Sequence, residues 1–292
     1  MRSHFTYLIL LSACLFGCTG KKEFKPLGDD ALLGSWKLVK YIDHQQGRSE
    51  WETYSDDYVY QKHLTPTHFT WVKYKKSSDE LEGIGGGTYD FESNTYTEDI
   101  KFFLPAGSSE LGQTIPFEVQ IDEDGLWHHN GYAKQFEFDV DAGEMSVVDS
   151  VKIEEVWKKI SPDANESALM GTWNLESYRA QEMDSLRSEY PPFVGYMKLI
   201  TPSHFVWIKY STEGDEVMAA ASGTYSYQSE VYVENIETCY PKGEGIVGTS
   251  AEFDAELDPN HWKHTGQVYK LDSTGGEPST LFIDEVWSKI LE

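Results

Sequence analysis

The sequence predicts an all-β protein built as two tandem antiparallel barrels, and three observations carry that expectation. Aromatic residues make up 14% of the 292-residue chain, with 9 Trp and 18 Tyr, a load suited to half-buried strands. Turn residues recur roughly every 8–12 positions between short β-rich runs, and no run of about 12 residues keeps a helical period. Most telling, the chain repeats itself from one end to the other.

The repeat is ordered. Leu32-Leu33-Gly34-Ser35-Trp36 returns as Leu169-Met170-Gly171-Thr172-Trp173, and Arg48-Ser49-Glu50-Trp51 as Arg187-Ser188-Glu189-Tyr190. The block from Leu64 through Thr65-Pro66 to Tyr74 returns as Ile200 through Thr201-Pro202 to Tyr210. Gly87-Thr88-Tyr89 matches Gly223-Thr224-Tyr225, and Trp127, His129 and Gly131 match Trp262, His264 and Gly266. Ile153 to Ile160 closes the first copy as Ile283 to Ile290 closes the second, the offset having drifted from 137 to 130. Small loop insertions and deletions account for the drift, so the chain is a tandem duplication.

Taken from the N-terminus, residues 1–17 read as an export signal. Arg2 and His4 precede a short apolar run from Tyr7 to Phe16, far below the ~20 apolar residues of a membrane-spanning helix. Leu15-Phe16-Gly17-Cys18 resembles the lipobox of bacterial lipoprotein signal peptides, which implies cleavage before Cys18 and acylation of that cysteine. Residues 18–30 then form a short polar tether. With Cys14 removed and Cys18 acylated, Cys239 is left without a disulfide partner and is expected as a loop thiol.

The copies are assigned to residues 31–161 and 167–292, joined by the polar stretch Ser161 to Glu166. In the first copy, strands are expected at His68 to Tyr74, Gly87 to Phe91, Thr95 to Phe102, Pro116 to Ile121 and Lys152 to Lys159. Gly83, Gly85, Gly86 and Gly87 lack the following helix and the Gly-Lys-Ser/Thr of a phosphate loop, and are read as preceding a strand. A strand meander of this size most economically closes on itself, because closure removes exposed edges.

A short turn leading into Gly34-Ser35-Trp36 and Gly171-Thr172-Trp173 is similar to the start of a lipocalin-type barrel. In that resemblance Lys159 and Lys289, late in the last strand, sit over the tryptophan where lipocalins place an arginine. The middle lipocalin motif, Thr-Asp-Tyr, is absent. The repeated Gly-[Ser/Thr]-Trp, Thr-Pro-x-His-Phe-x-Trp, Gly-Thr-Tyr, Tyr-x-Glu-x-Ile and Glu-Val-Trp-x-Lys blocks more closely resemble uncharacterised lipocalin-like domains of Bacteroidetes-type lipoproteins. The resemblance implies eight to ten strands per barrel and no established activity.

Period-2 alternation selects the candidate site. Phe69, Trp71 and Lys73 share one strand face, as do Phe205, Trp207 and Lys209; such a face either lines a cavity or packs as core. Glu98 lies between Tyr96 and Ile100, and Glu234 between Tyr232 and Ile236, so each carboxylate needs a donor or cation such as Lys73 or His129. Glu155 and Trp157 share a face, as do Glu285 and Trp287. With Tyr89, Tyr225, Trp127, Trp262, His129 and His264 these residues form the candidate ligand-binding set. Each carboxylate is open to two readings, an internal ion pair or a polar anchor for ligand.

These residues lead to an expected non-enzymatic, lipid-anchored envelope protein that binds a small, partly apolar molecule. An interaction module with filled barrels and an envelope protein partner is the alternative. A haem or metal site, or an enzyme using Glu98 or Glu155 with a histidine, is the further one. No His-x-His, His-x-x-x-His or Cys-x-x-Cys spacing calls for a metal, and no cofactor is expected. A formal charge of −25 repels phosphate backbones, which sets nucleic acid aside; the membrane is reached through the lipid on Cys18.

Overall fold

Alternating large buried and exposed side chains build seventeen strands among the described residues. The computed structural model describes residues 27–291 except 79, 140–143, 162–166, 180, 182–185, 215, 243–244 and 271–278. The leader, Cys18, the tether as far as residue 26 and most of the linker therefore lie outside the described residues.

In the first half the strands are β1 (Gly34–Tyr41), β2 (Glu52–Thr53), β3 (Tyr58–Leu64), β4 (His68–Lys75) and β5 (Glu80–Glu92). They continue with β6 (Thr95–Leu104), β7 (Thr114–Ile121), β8 (Leu126–Asp139) and β9 (Glu144–Lys159). The second half holds β10 (Gly171–Tyr178), β11 (Val194–Ile200), β12 (His204–Ser211) and β13 (Val217–Gln228). It ends with β14 (Val231–Tyr240), β15 (Ser250–Leu257), β16 (His261–Lys270) and β17 (Ser279–Ile290). Pairing within each half is antiparallel throughout. In the first half β1 pairs with both β3 and β9, closing eight strands into a barrel, with β2 as a two-residue addition on β1. In the second half β10 pairs with both β11 and β17, closing another eight.

Each barrel has a plugged end and an open end. Trp36, Phe69, Tyr96, Trp127 and Trp157 are fully buried at the plugged end of the first, and Trp173, Phe205, Tyr232, Trp262 and Trp287 repeat the arrangement. Trp36 and Trp127 meet edge-on at 5.3 Å, and Trp173 and Trp262 at 5.7 Å. A turn at Asp29–Leu32 precedes β1, and its Leu32 carbonyl accepts the Trp36 indole N–H at 2.8 Å. Lys159 Nζ lies 5.4 Å from the Trp36 ring and Lys289 Nζ 5.3 Å from Trp173, which is the basic-residue-over-tryptophan placement expected of the two ends.

Two expectations are corrected. Gly83 to Gly87 lie inside β5 rather than before it. The Trp71 ring packs against the strand there; a Cβ on Gly85 would meet that ring at 2.7 Å and displace it. Cys239 is a buried residue of β14, its Sγ 3.7 Å from the Pro241 carbonyl, because its side chain packs with the core of the second barrel rather than facing solvent.

The barrels pack through outward faces of β4–β6 and β11–β13. Val72, Ile84, Phe102 and Leu104 meet Leu199, Val206, Ile208 and Ala220 in one apolar layer. The polar contacts obey the repeat: Ser35 Oγ bonds Thr201 Oγ1 at 2.7 Å, and Thr172 Oγ1, the counterpart of Ser35, bonds Thr65 Oγ1, the counterpart of Thr201, at 2.6 Å. Equivalent surfaces thus face each other about a pseudo-two-fold axis, the self-complementary geometry of an isologous dimer.

Two histidines are trapped in this layer, with the rings of His63 and His204 5.3 Å apart. Burial, and then the neighbouring His204, hold His63 well below the usual imidazole range, while burial lowers His204 to about 4. Both rings are neutral when folded, whereas the unfolded chain takes up their protons below pH about 6.5. Their contribution is therefore intact above that pH and is lost progressively as pH falls, that of His204 down to about 4, at roughly 1.4 kcal/mol per pH unit. Urea unfolding between pH 7 and 4.5 should show a steeper loss for the native chain than for H63Q/H204Q. Parallel pH profiles would show that these histidines do not titrate on unfolding.

Candidate functional site

Inside each barrel, a layer of charge separates the aromatic plug from an open cavity. Its centre is Lys62 on β3, with Nζ 2.7 Å from Glu98 Oε1 on β6; the two side chains are 3% and 5% exposed. The Lys62 ammonium also faces the rings of Trp157, Trp127, Phe117, Tyr96 and Phe69 at 5.2–6.0 Å. The second barrel repeats this with Lys198 and Glu234 at 2.7 Å, and with Lys198 5.0 Å from both Trp262 and Trp287.

Beside each ion pair lies a His–Glu pair. His129 Nδ1 is 3.1 Å from Glu155 Oε2, which also accepts the Trp157 indole N–H at 3.1 Å. His264 Nε2 is 2.9 Å from Glu285 Oε2. Burial, with Lys62 and Lys198 adding to it, holds both imidazoles below their ordinary range, so both rings are neutral at pH 7 and donate their single N–H to the carboxylate. The remaining ring nitrogens, His129 Nε2 and His264 Nδ1, are buried acceptors without a protein partner. Burial raises the Glu155 carboxyl, against the Lys62 charge and the Trp157 hydrogen bond.

Above this layer the first barrel holds a cavity of about 560 Å³. Tyr60, Lys62, Trp71, Glu98, Phe117, His129 and Glu155 line its inner part; Lys73, Glu82, Phe103 and Glu110 are among its outer residues. The second barrel holds one of about 340 Å³, with Tyr196, Lys198, Trp207, Glu234, Phe253, His264 and Glu285 inside and Met218, Cys239, Ile246, Lys270 and Leu281 further out.

The structure divides the expected residues between two places. Trp71, Lys73, Glu98, His129 and Glu155 line the first cavity, and Trp207, Glu234, His264 and Glu285 the second. Phe69, Trp127 and Trp157, with Phe205, Trp262 and Trp287, belong to the plug; they were expected in the pocket, but their positions nearer the closed end make them packed core. Tyr89 and Tyr225 are also off the cavity wall, where each hydroxyl donates to a Thr-Pro turn carbonyl, Thr65 at 2.7 Å and Thr201 at 2.9 Å. Lys209 is not on the wall either: its ammonium lies 4.3 Å from the Tyr190 ring.

The buried cation was the main residue that alternation missed. Expected partners for Glu98 were Lys73 or His129, yet Lys62 supplies the charge. Cross-strand register explains why: Lys62 stands opposite Trp71, at mid-barrel, whereas Lys73 stands opposite Tyr60, one inward position nearer the mouth. The available signal was Tyr-x-Lys-x-[Leu/Ile], which precedes both Thr-Pro turns as Tyr60-Gln61-Lys62-His63-Leu64 and Tyr196-Met197-Lys198-Leu199-Ile200.

Among the described residues, no group of three or more His, Cys, Asp or Glu side chains is arranged to hold a metal ion. No protein-family model matches the chain. No curated protein matches its sequence.

Proposed function

We propose that this chain is a non-enzymatic lipoprotein of the cell envelope, anchored in the outer membrane by an acylated Cys18, whose lipocalin-like barrels bind a small, partly apolar molecule. The observation that carries this reading is the void above the charged layer in each barrel. Volumes of 560 and 340 Å³ fall within the roughly 300–1,000 Å³ usual for ligand pockets. Aromatic walls suit an apolar body. Barrels filled solid would have favoured the interaction module instead. The carboxylates are occupied by Lys62, Lys198, His129, His264 and Trp157, an arrangement that holds them in place and favours binding over acid–base turnover.

The test uses protein purified from its own host. Nile red emission is expected to rise on adding the folded protein and to fall as 1-octanol displaces it, with native mass spectrometry reporting any co-purified small molecule. Absence of both dye uptake and bound mass would overturn the binding reading. Replacement of Cys18 by Ala is expected to release the protein from the membrane fraction; retention there would overturn the anchor.

A further inference from the structure

The two cavities share their floor and differ at their mouths. Strand register makes the comparison position by position. Lys73 pairs with Gly83 and Lys209 with Ala219, so Glu82 in β5 corresponds to Met218 in β13. The loop after β6 is fixed by Ile100, which bonds the Gln113 carbonyl and the Gly112 amide; Ile236 makes the same two bonds with Thr249 and Gly248. Counting back two residues from each glycine places Glu110 against Ile246. Both members of each pair line their cavities, so two carboxylates at one mouth stand where the other has a thioether and an alkyl group.

The geometry points to different ligand classes for the two barrels: a primary alkyl or arylalkyl amine, bound as its ammonium ion, in the first, and a molecule without a cationic head in the second. This rests on the binding reading above and adds the chemistry of the ligand's outer end. Lys62 is already paired with Glu98, which leaves Lys73 as the cation at the first mouth against Glu82 and Glu110. The Lys73 ammonium lies 5.8 Å from the Tyr58 ring, a site that holds it at the edge. Glu110 accepts a hydrogen bond from Ser108 Oγ at 2.9 Å, and this fixes its carboxylate. Burial, then the charges on Glu98 and Glu155, hold that carboxyl above its ordinary range despite the Ser108 bond. An ammonium group relieves this repulsion, and the rings of Trp71 and Phe103, 5.1 Å apart, offer π-faces to the same cation. His129 lines the same wall and is neutral at pH 7, so it is no competing cation.

Octylammonium, 1-octanol and octanoate carry one chain on a cationic, neutral or anionic head. Calorimetric titration of the full chain at pH 7 should rank octylammonium tightest at one site, with at least about tenfold preference over octanoate there. The isosteric variant E82Q/E110Q should lose about tenfold in octylammonium affinity while 1-octanol binds as before. Equal octylammonium affinity in the native chain and E82Q/E110Q would overturn the assignment while leaving the binding reading intact. Failure of all three probes to bind or to displace Nile red would overturn both.

Discussion

Replacing Lys62 by Met is expected to cost about 3–5 kcal/mol, among the largest effects available in the first barrel. Methionine fills most of the volume of the lysine stem, so the loss is chiefly electrostatic. It strands Glu98, 4% exposed among aromatic rings, without the cation 2.7 Å away that balances it. The double variant K62M/E98Q removes both charges and should recover part of that cost, giving a coupling free energy of the sign that marks a charge pair. The pH dependence follows from the same picture. A stranded carboxyl has a folded pKa raised above its unfolded value, so K62M should be closest to the native protein in stability below pH about 4.3 and fall further behind as pH rises. Urea unfolding at pH 4.5 and 8 checks both statements. If K62M/E98Q were no more stable than K62M, cavity formation rather than uncompensated charge would explain the loss. The pair Lys198–Glu234, also at 2.7 Å, should give the same pattern in the second barrel.

The cost of that pair explains what was legible in the sequence and what was not. Glu98 and Glu155 could be placed inside because each alternates with large apolar neighbours and because the repeat returns both. Lys62 was hidden since β3 of the first copy reads Tyr-Val-Tyr-Gln-Lys-His-Leu, with polar groups on both parities. Its outward His63 is buried too, but only because a second barrel covers that face. No periodicity within one copy announces that contact. In β11 the corresponding stretch, Val-Gly-Tyr-Met-Lys-Leu-Ile, leaves Lys198 as the lone charge in an apolar strand, and there the signal is plain.

The barrel closure was readable from strand count and repeat, whereas the position of the void was not. Alternation assigns a side chain to the inside, and says nothing about its height along the barrel axis. Trp127 and His129 share one face of β8, yet the tryptophan seals the plug and the histidine borders the cavity. Height is set by cross-strand stagger, a property of pairing between strands distant in sequence. The difference between Glu110 and Ile246 was similarly masked, because loop indels shift the copies and only the hydrogen bonds of Ile100 and Ile236 align them.

Glycine at positions 87 and 223 is the remaining feature on which each barrel depends, and alanine at either is expected to cost about 3–5 kcal/mol or to prevent closure. In both copies β5–β6 or β13–β14 pairing slips by one residue here, between Gly86 and Gly87 and between Ser222 and Gly223, leaving Lys101 and Glu237 as the extra residues. The bulge drives the opposite backbone against the glycine. A Cβ on Gly87 would lie 2.0 Å from the Asp99 carbonyl oxygen, and one on Gly223 1.9 Å from that of Asn235. Those oxygens are backbone and cannot swing aside without opening the ladder. The neighbouring position supplies the contrast. The nearest atoms to a Cβ on Gly85 would be those of the Trp71 ring, at 2.7 Å, and the second copy already carries Ala221 there beside Trp207. Gly85→Ala should therefore cost less than about 1.5 kcal/mol, with the indole shifting into the 560 Å³ cavity. Circular dichroism and urea unfolding of G85A, G87A and G223A separate the two cases. Equal stability of G85A and G87A would mean that β6 yields at the bulge, and that the shared glycines answer to something other than this carbonyl contact.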